Sequence, residues 1–236
     1  MPFRESADIV FCLDASHSMS RLFRSVADHV GAFLAGLRWD ANRTWDVRFD
    51  FLAFKTVRHG NPTYRSVGSD DPVRDLYQCR DESRFFTTDL ERFKSALLSI
   101  KTSGDESGPL ALSACLDFPF RDARTCHRAV LLFTDERVET GTHIDAFRDR
   151  KLALALKIAE RGIVVHIVAP KSAGYEFLSQ VDGSEYTVLA DKTRAFDRLD
   201  FGTILRDMGR SVSASGTSAA RNRPFSPKPL FGEGDW

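Results

Sequence analysis

Asp14, Ser16 and Ser18 place three oxygen-bearing side chains at alternate positions directly after an unbroken apolar run, Ile9 to Leu13. A carboxylate and two hydroxyls at that spacing suit a hard cation such as Mg2+, which takes oxygen ligands and keeps several waters. The apolar run is the pattern of a strand buried on both faces. Beyond it, Met19 to Leu37 carries Leu22, Phe23, Val26, Val30, Phe33, Leu34 and Leu37 at helical spacing. The three oxygens therefore stand at a strand-to-helix turn. D-x-S-x-S is short enough to arise by chance, so a metal site requires further ligands from other loops.

Two other loops offer them. Ala129 to Phe133 is a second apolar run and ends in Thr134-Asp135-Glu136. Between the two runs lies a polar, glycine-containing stretch from Thr102 to Pro109. The elements that must position these loops follow from periodicity and turn signals. A strand is expected over Val47–Val57 and a short antiparallel edge strand over Thr63–Val67, with an irregular charged stretch over Gly68–Thr87. Helices are expected over Asp89–Lys101, with Thr88 as its cap, and over Leu110–Leu116. Then come a strand at His127–Phe133, a helix at Asp145–Arg161 and a strand at Ile163–Val168. A short helix at Tyr175–Val181, a strand at Tyr186–Leu189 and a helix at Phe196–Met208 complete the series. Strands alternating with helices define an α/β, doubly wound, mostly parallel sheet, here with one antiparallel edge strand. Such sheets bind ligands beyond the carboxyl ends of their strands, where all three loops fall. One domain is expected over 1–209. A tail over 210–236, rich in Ser, Pro, Gly and Arg, lacks the apolar period of a packed element and is expected to be disordered.

Composition excludes several classes. In 236 residues, 33 Lys+Arg are balanced by 33 Asp+Glu, so no nucleic-acid or anionic-membrane partner is expected. No apolar run reaches transmembrane length, and the N-terminus shows no signal-peptide core, so a cytoplasmic location is expected. Cys12, Cys79, Cys115 and Cys126 form no C-x-x-C pair and read as reduced thiols, not a zinc site. Asp8 and Asp46 read as capping or solvated groups, Arg121, Arg124 and Arg128 as a solvated face, His17 as exposed and His166 as a core histidine.

Asp14-Ala15-Ser16-His17-Ser18-Met19 resembles the D-x-S-x-S-M loop of von Willebrand factor A (vWA) domains, and Phe133-Thr134-Asp135-Glu136 resembles their apolar-T-D-G loop, with Glu136 where glycine is usual. The resemblance covers roughly Asp8 to Met208. It implies a Rossmann-like vWA fold with a metal-ion-dependent adhesion site. In that site Asp14, Ser16 and Ser18 would contact Mg2+ (with Mn2+ or Ca2+ as alternatives) directly or through water. Asp135 would act through water or from behind the ligands. In the middle loop, Ser107-Gly108-Pro109-Leu110 stands where Gly-Thr-Pro-Leu is common, so the threonine position holds Gly108. Ser107 is the first candidate there, Asp105 the second, with Thr102 and Glu136 as further groups near the ion. The resemblance further implies a non-enzymatic adaptor of the intracellular bacterial type. Its partner protein would present an Asp or Glu to the metal, and a MoxR-type AAA+ ATPase would work beside it in a chaperone, stress or defence system. Two alternatives stand. A Mg2+-dependent phosphohydrolase or phosphotransferase of haloacid-dehalogenase-like type needs D-x-D-x-T, and Ser16 holds the place of the second Asp. A scaffold with a degenerate metal site is favoured by Gly108 and Glu136.

Overall fold

The structure is a computed structural model and describes residues 3–40, 42–56, 62–79, 84–103, 108–138, 144–189 and 199–214. Strand β1 (Phe3–Asp14) runs through the middle of a six-stranded sheet ordered β3-β2-β1-β4-β5-β6. It pairs in parallel with β2 (Arg43–Thr56) on one side and β4 (His127–Phe133) on the other. Beyond β4 lie β5 (Val164–Pro170) and β6 (Glu185–Leu189), also parallel. The one antiparallel strand, β3 (Pro62–Arg65), pairs with the end of β2 and forms the other edge. The doubly wound sheet with an antiparallel edge is thus present as the sequence predicts.

The strand residues of β1 alternate between two cores, which is why its run is apolar throughout. Ile9, Phe11 and Leu13 face helices α1 (Leu22–Leu37), α3 (Leu90–Leu98) and α7 (Phe201–Ala214). Val10 and Cys12 face α4 (Gly108–Cys115), α5 (Ile144–Glu160) and α6 (Ala173–Leu178). The two faces give three layers, with the strand ends and their loops left at the edges of the sandwich.

Several boundaries differ from the sequence reading, each for a local reason. The cap of α3 is Asp89, not Thr88: its carboxylate accepts from the amides of Glu91 and Arg92. Gly68–Thr87 is not wholly irregular. A helical turn, α2 (Pro72–Arg74), is capped by Asp71 and continues as a π-turn over Asp75–Cys79. Helix α7 does not end at Met208. It runs through Ala214, burying Gly209, Val212 and Ser213, so the first residues assigned to the tail belong to the packed fold. The rest of that assignment, 215–236, lies outside the described residues.

Two buried carboxylates hold the sheet from within. Asp8, fully buried on β1, is no solvated cap. It accepts from Arg48 (2.8 and 2.6 Å), from the Arg121 guanidinium (2.9 Å) and from the Arg121 amide (2.7 Å). Burial alone would raise its pKa; the arginine bonds overcome this and hold it below the ordinary value. Arg121 also donates to Asp46 (2.8 Å) and to the carbonyls of Ala7 and Asp46. Arg128 donates to the carbonyls of Arg121 and Arg161. Of the three arginines read as a solvated face, only Arg124 is exposed, paired with Asp122. The second carboxylate is Asp50 on β2, which accepts from the amides of Phe51, Val67 and Phe86. Burial pushes it up to about 7 against the pull of those three donors. It thereby ties down the chain around Phe86, a non-glycine residue at φ 62°.

Candidate metal centre

All the parallel strands end at one edge, and β1 delivers Asp14 to it. Asp14 and Ser16 are buried, whereas His17 and Ser18 are exposed. The Asp14 carboxylate shapes its own loop, since its Oδ1 accepts the Ser16 amide at 2.8 Å. Its Oδ2 accepts the Thr134 hydroxyl at 2.8 Å. Thr134 is fully buried just past β4, and its hydroxyl oxygen in turn accepts the Glu136 amide at 3.2 Å. One threonine therefore fastens the first loop to the third and sets the turn carrying Asp135 and Glu136, both half-buried. The Ser16 and Ser18 hydroxyls converge to 3.0 Å. A single proton satisfies that contact, so lone pairs remain on both oxygens for a cation.

The middle loop is joined to the first by backbone. The Ser103 amide donates to the Ala15 carbonyl at 2.9 Å, and Lys55 Nζ donates to Ser103 Oγ (2.9 Å) and to the Lys101 carbonyl (3.3 Å). Thr102, half-buried, is carried next to that seam. Asp105 and Ser107 lie outside the described residues. Gly108 opens α4 on the far side of the loop. A Cβ built on it would meet the Tyr175 hydroxyl at 2.7 Å, closer than real Cβ contacts. Beside the first loop opens a cavity of about 330 Å3, lined among others by Ala15, Lys55, Arg65 and Lys101.

The donor chemistry fits a hard divalent cation. Asp14, Ser16 and Ser18 offer oxygen alone, and Asp135 and Glu136 lie on the adjoining turn. Among the described residues no group of three or more His, Cys, Asp or Glu side chains gathers as a metal cluster. The thiols stand apart: Cys12, Cys115 and Cys126 are reduced and buried, and burial raises Cys115 and Cys126 above the ordinary thiol value. His166 is buried in β5 with Nδ1 3.3 Å from Glu185 Oε2, a core position. Sequence reasoning did not bring Tyr175 to the middle loop. Its register on α6 signals only core packing, and its hydroxyl meets Gly108 through the tertiary fold alone.

An open, mostly parallel sheet with oxygen-bearing loops at its carboxyl edge defines the molecule as a doubly wound α/β domain. No protein-family model matches the chain, and no curated protein matches it in sequence. Solved structures do. A von Willebrand factor type A protein from Catenulispora acidiphila is similar at 13% identity and TM-score 0.57, over 89% of this chain and 43% of that one. The SpRpn10 VWA domain is similar at 11% identity and TM-score 0.52, over 83% and 96%. The human COPII-coat protein Sec24c is similar at 15% identity and TM-score 0.54, over 89% and 33%. The chain therefore has the von Willebrand factor A fold, spanning less than half the length of two of these three proteins. No helix among the described residues is long and apolar enough to cross a membrane.

Proposed function

We propose that this chain is a non-enzymatic protein-binding module that grips a partner's Asp or Glu through a divalent cation, Mg2+ in the first place. Asp14, Ser16 and Ser18 hold the ion, Asp135 supports it, and the middle loop adds Ser107 or Asp105, with Thr102 and Glu136 close by. The observation that carries the reading is the pair of serine hydroxyls converging at 3.0 Å beside a buried carboxylate already oriented by Thr134. One carboxylate in contact, with neutral hydroxyls, leaves a divalent ion net positive, and the ion can then take a carboxylate from outside. The half-buried Lys55 and exposed Lys101 beside the first loop add positive charge suited to an acidic partner segment. Ser16, where a phosphotransferase would carry its second Asp, is turned onto Ser18, which favours binding over group transfer. We place the module in the cytoplasm, with a MoxR-type AAA+ ATPase as the partner class the vWA resemblance implies.

The test has a metal arm and a partner arm. Wild-type protein is expected to bind Mn2+, followed by electron paramagnetic resonance, and to release it to Mg2+. Asp14→Ala is expected to abolish this while keeping its circular dichroism spectrum. A purified MoxR-type ATPase is expected to bind the wild type in Mg2+ and to be lost in EDTA or with Asp14→Ala. Equal binding in EDTA refutes the metal-bridged contact.

A further inference from the structure

The family's middle-loop hydroxyl position is occupied by Gly108, yet the space there is filled. The ideal Cβ position at Gly108 lies 2.7 Å from the Tyr175 hydroxyl, and the next nearest atom is Tyr175 Cζ at 3.9 Å. Tyr175 comes from α6, after β5, and is 1% exposed. It lies tilted against Tyr186, whose hydroxyl donates to the Pro170 carbonyl at the end of β5. The ring thus has a fixed back. Burial first, and then the charges of Asp14 and Glu136, push this hydroxyl well above its ordinary value.

We infer that Tyr175 supplies the hydroxyl that residue 108 lacks, reaching across from α6 to complete the oxygen shell around the ion, and that Gly108 is glycine because that hydroxyl occupies its side-chain space. This rests on the metal-binding reading above. It makes Tyr175 a metal-site residue on an element that contributes none of the three motif loops.

The experiment measures Mn2+ affinity by electron paramagnetic resonance and unfolding temperature with and without Mg2+, on five proteins: wild type, Asp14→Ala, Tyr175→Phe, Gly108→Thr and the double variant Gly108→Thr/Tyr175→Phe. Tyr175→Phe is expected to unfold at the wild-type temperature without metal and to lose roughly 10- to 100-fold in Mn2+ affinity. Gly108→Thr is expected to unfold earlier, because its Cβ meets the phenol. The double variant, with the phenol oxygen removed and a hydroxyl restored at 108, is expected to regain most of both. If wild type binds Mn2+ and Asp14→Ala does not, but Tyr175→Phe binds like wild type, the Tyr175 assignment is wrong and the metal site stands. If wild type and Asp14→Ala fail alike to bind, the metal reading falls and this inference with it.

Discussion

Asp8 and Asp14 lie on the same strand, both fully buried, and are held by opposite kinds of neighbour. Asp8 sits between two guanidiniums, while Asp14 accepts from a neutral amide and a hydroxyl. The first arrangement is structural. Asp8→Asn removes the charge that Arg48 and Arg121 were folded around and is expected to cost about 3 kcal/mol. Because the folded pKa of Asp8 is depressed, its contribution is fully present above the unfolded value, about 3.8 to 3.9, and is lost as pH falls through the folded value. Denaturant titrations over about pH 2 to 6 should show a stability slope in wild type that flattens in Asp8→Asn. That Asp14, Ser16 and Ser18 share one turn was legible in the sequence because they are near neighbours after an apolar run, whereas the bond from Thr134, 120 residues away, was not. The arrangement at Asp8 was not, because Arg121 lies 113 residues away and no local pattern marks the pair. Asp50 was equally hidden, since an acidic residue in an alternating strand reads as facing water until its three amide donors are seen.

Among elements, α1 and α7 approach each other backbone to backbone. A Cβ on Gly36 would fall 1.9 Å from the Arg206 carbonyl oxygen, and one on Gly209 would fall 2.2 Å from that of Phe33. Both obstacles are backbone, so neither can turn aside. Gly209→Ala is expected to cost about 2 kcal/mol by forcing the helices apart. Gly31→Ala, on the exposed face of α1 with nothing within 4 Å, should instead gain about 0.5 to 1 kcal/mol by restricting the unfolded chain. Thermal and denaturant unfolding of the two variants against wild type checks both signs. Strands and most helices could be read from periodicity because each buries a continuous face. The end of α7 could not: glycine followed by a serine-rich stretch has the composition of a linker, and only the partner helix shows that the small residue is there for contact. The turn at Pro72 was signalled by Asp71 and Pro72, a cap and a first-turn proline, but was lost in a charged stretch.

For the molecule as a whole, the last turn of α7 closes the sheet at the edge opposite the Asp14 loop. The carbonyls of Val212 and Ser213 accept from His127 and Arg43, which open β4 and β2. A chain cut after Ala214 is therefore expected to be more stable than one cut after Met208 by about 2 to 3 kcal/mol, the value of a buried valine and its anchoring contacts. Comparing the unfolding midpoints of the two truncations decides it. The same geometry brings Phe3, paired with Arg43, and the end of α7 to one side of the fold. Both attachment points are thus remote from Asp14. A surface tether or a fluorescent label joined at Phe3, or directly after Ala214 in a chain cut there, would leave the Asp14 loop pointing outward, so the domain can be displayed by its back with that loop edge unobstructed.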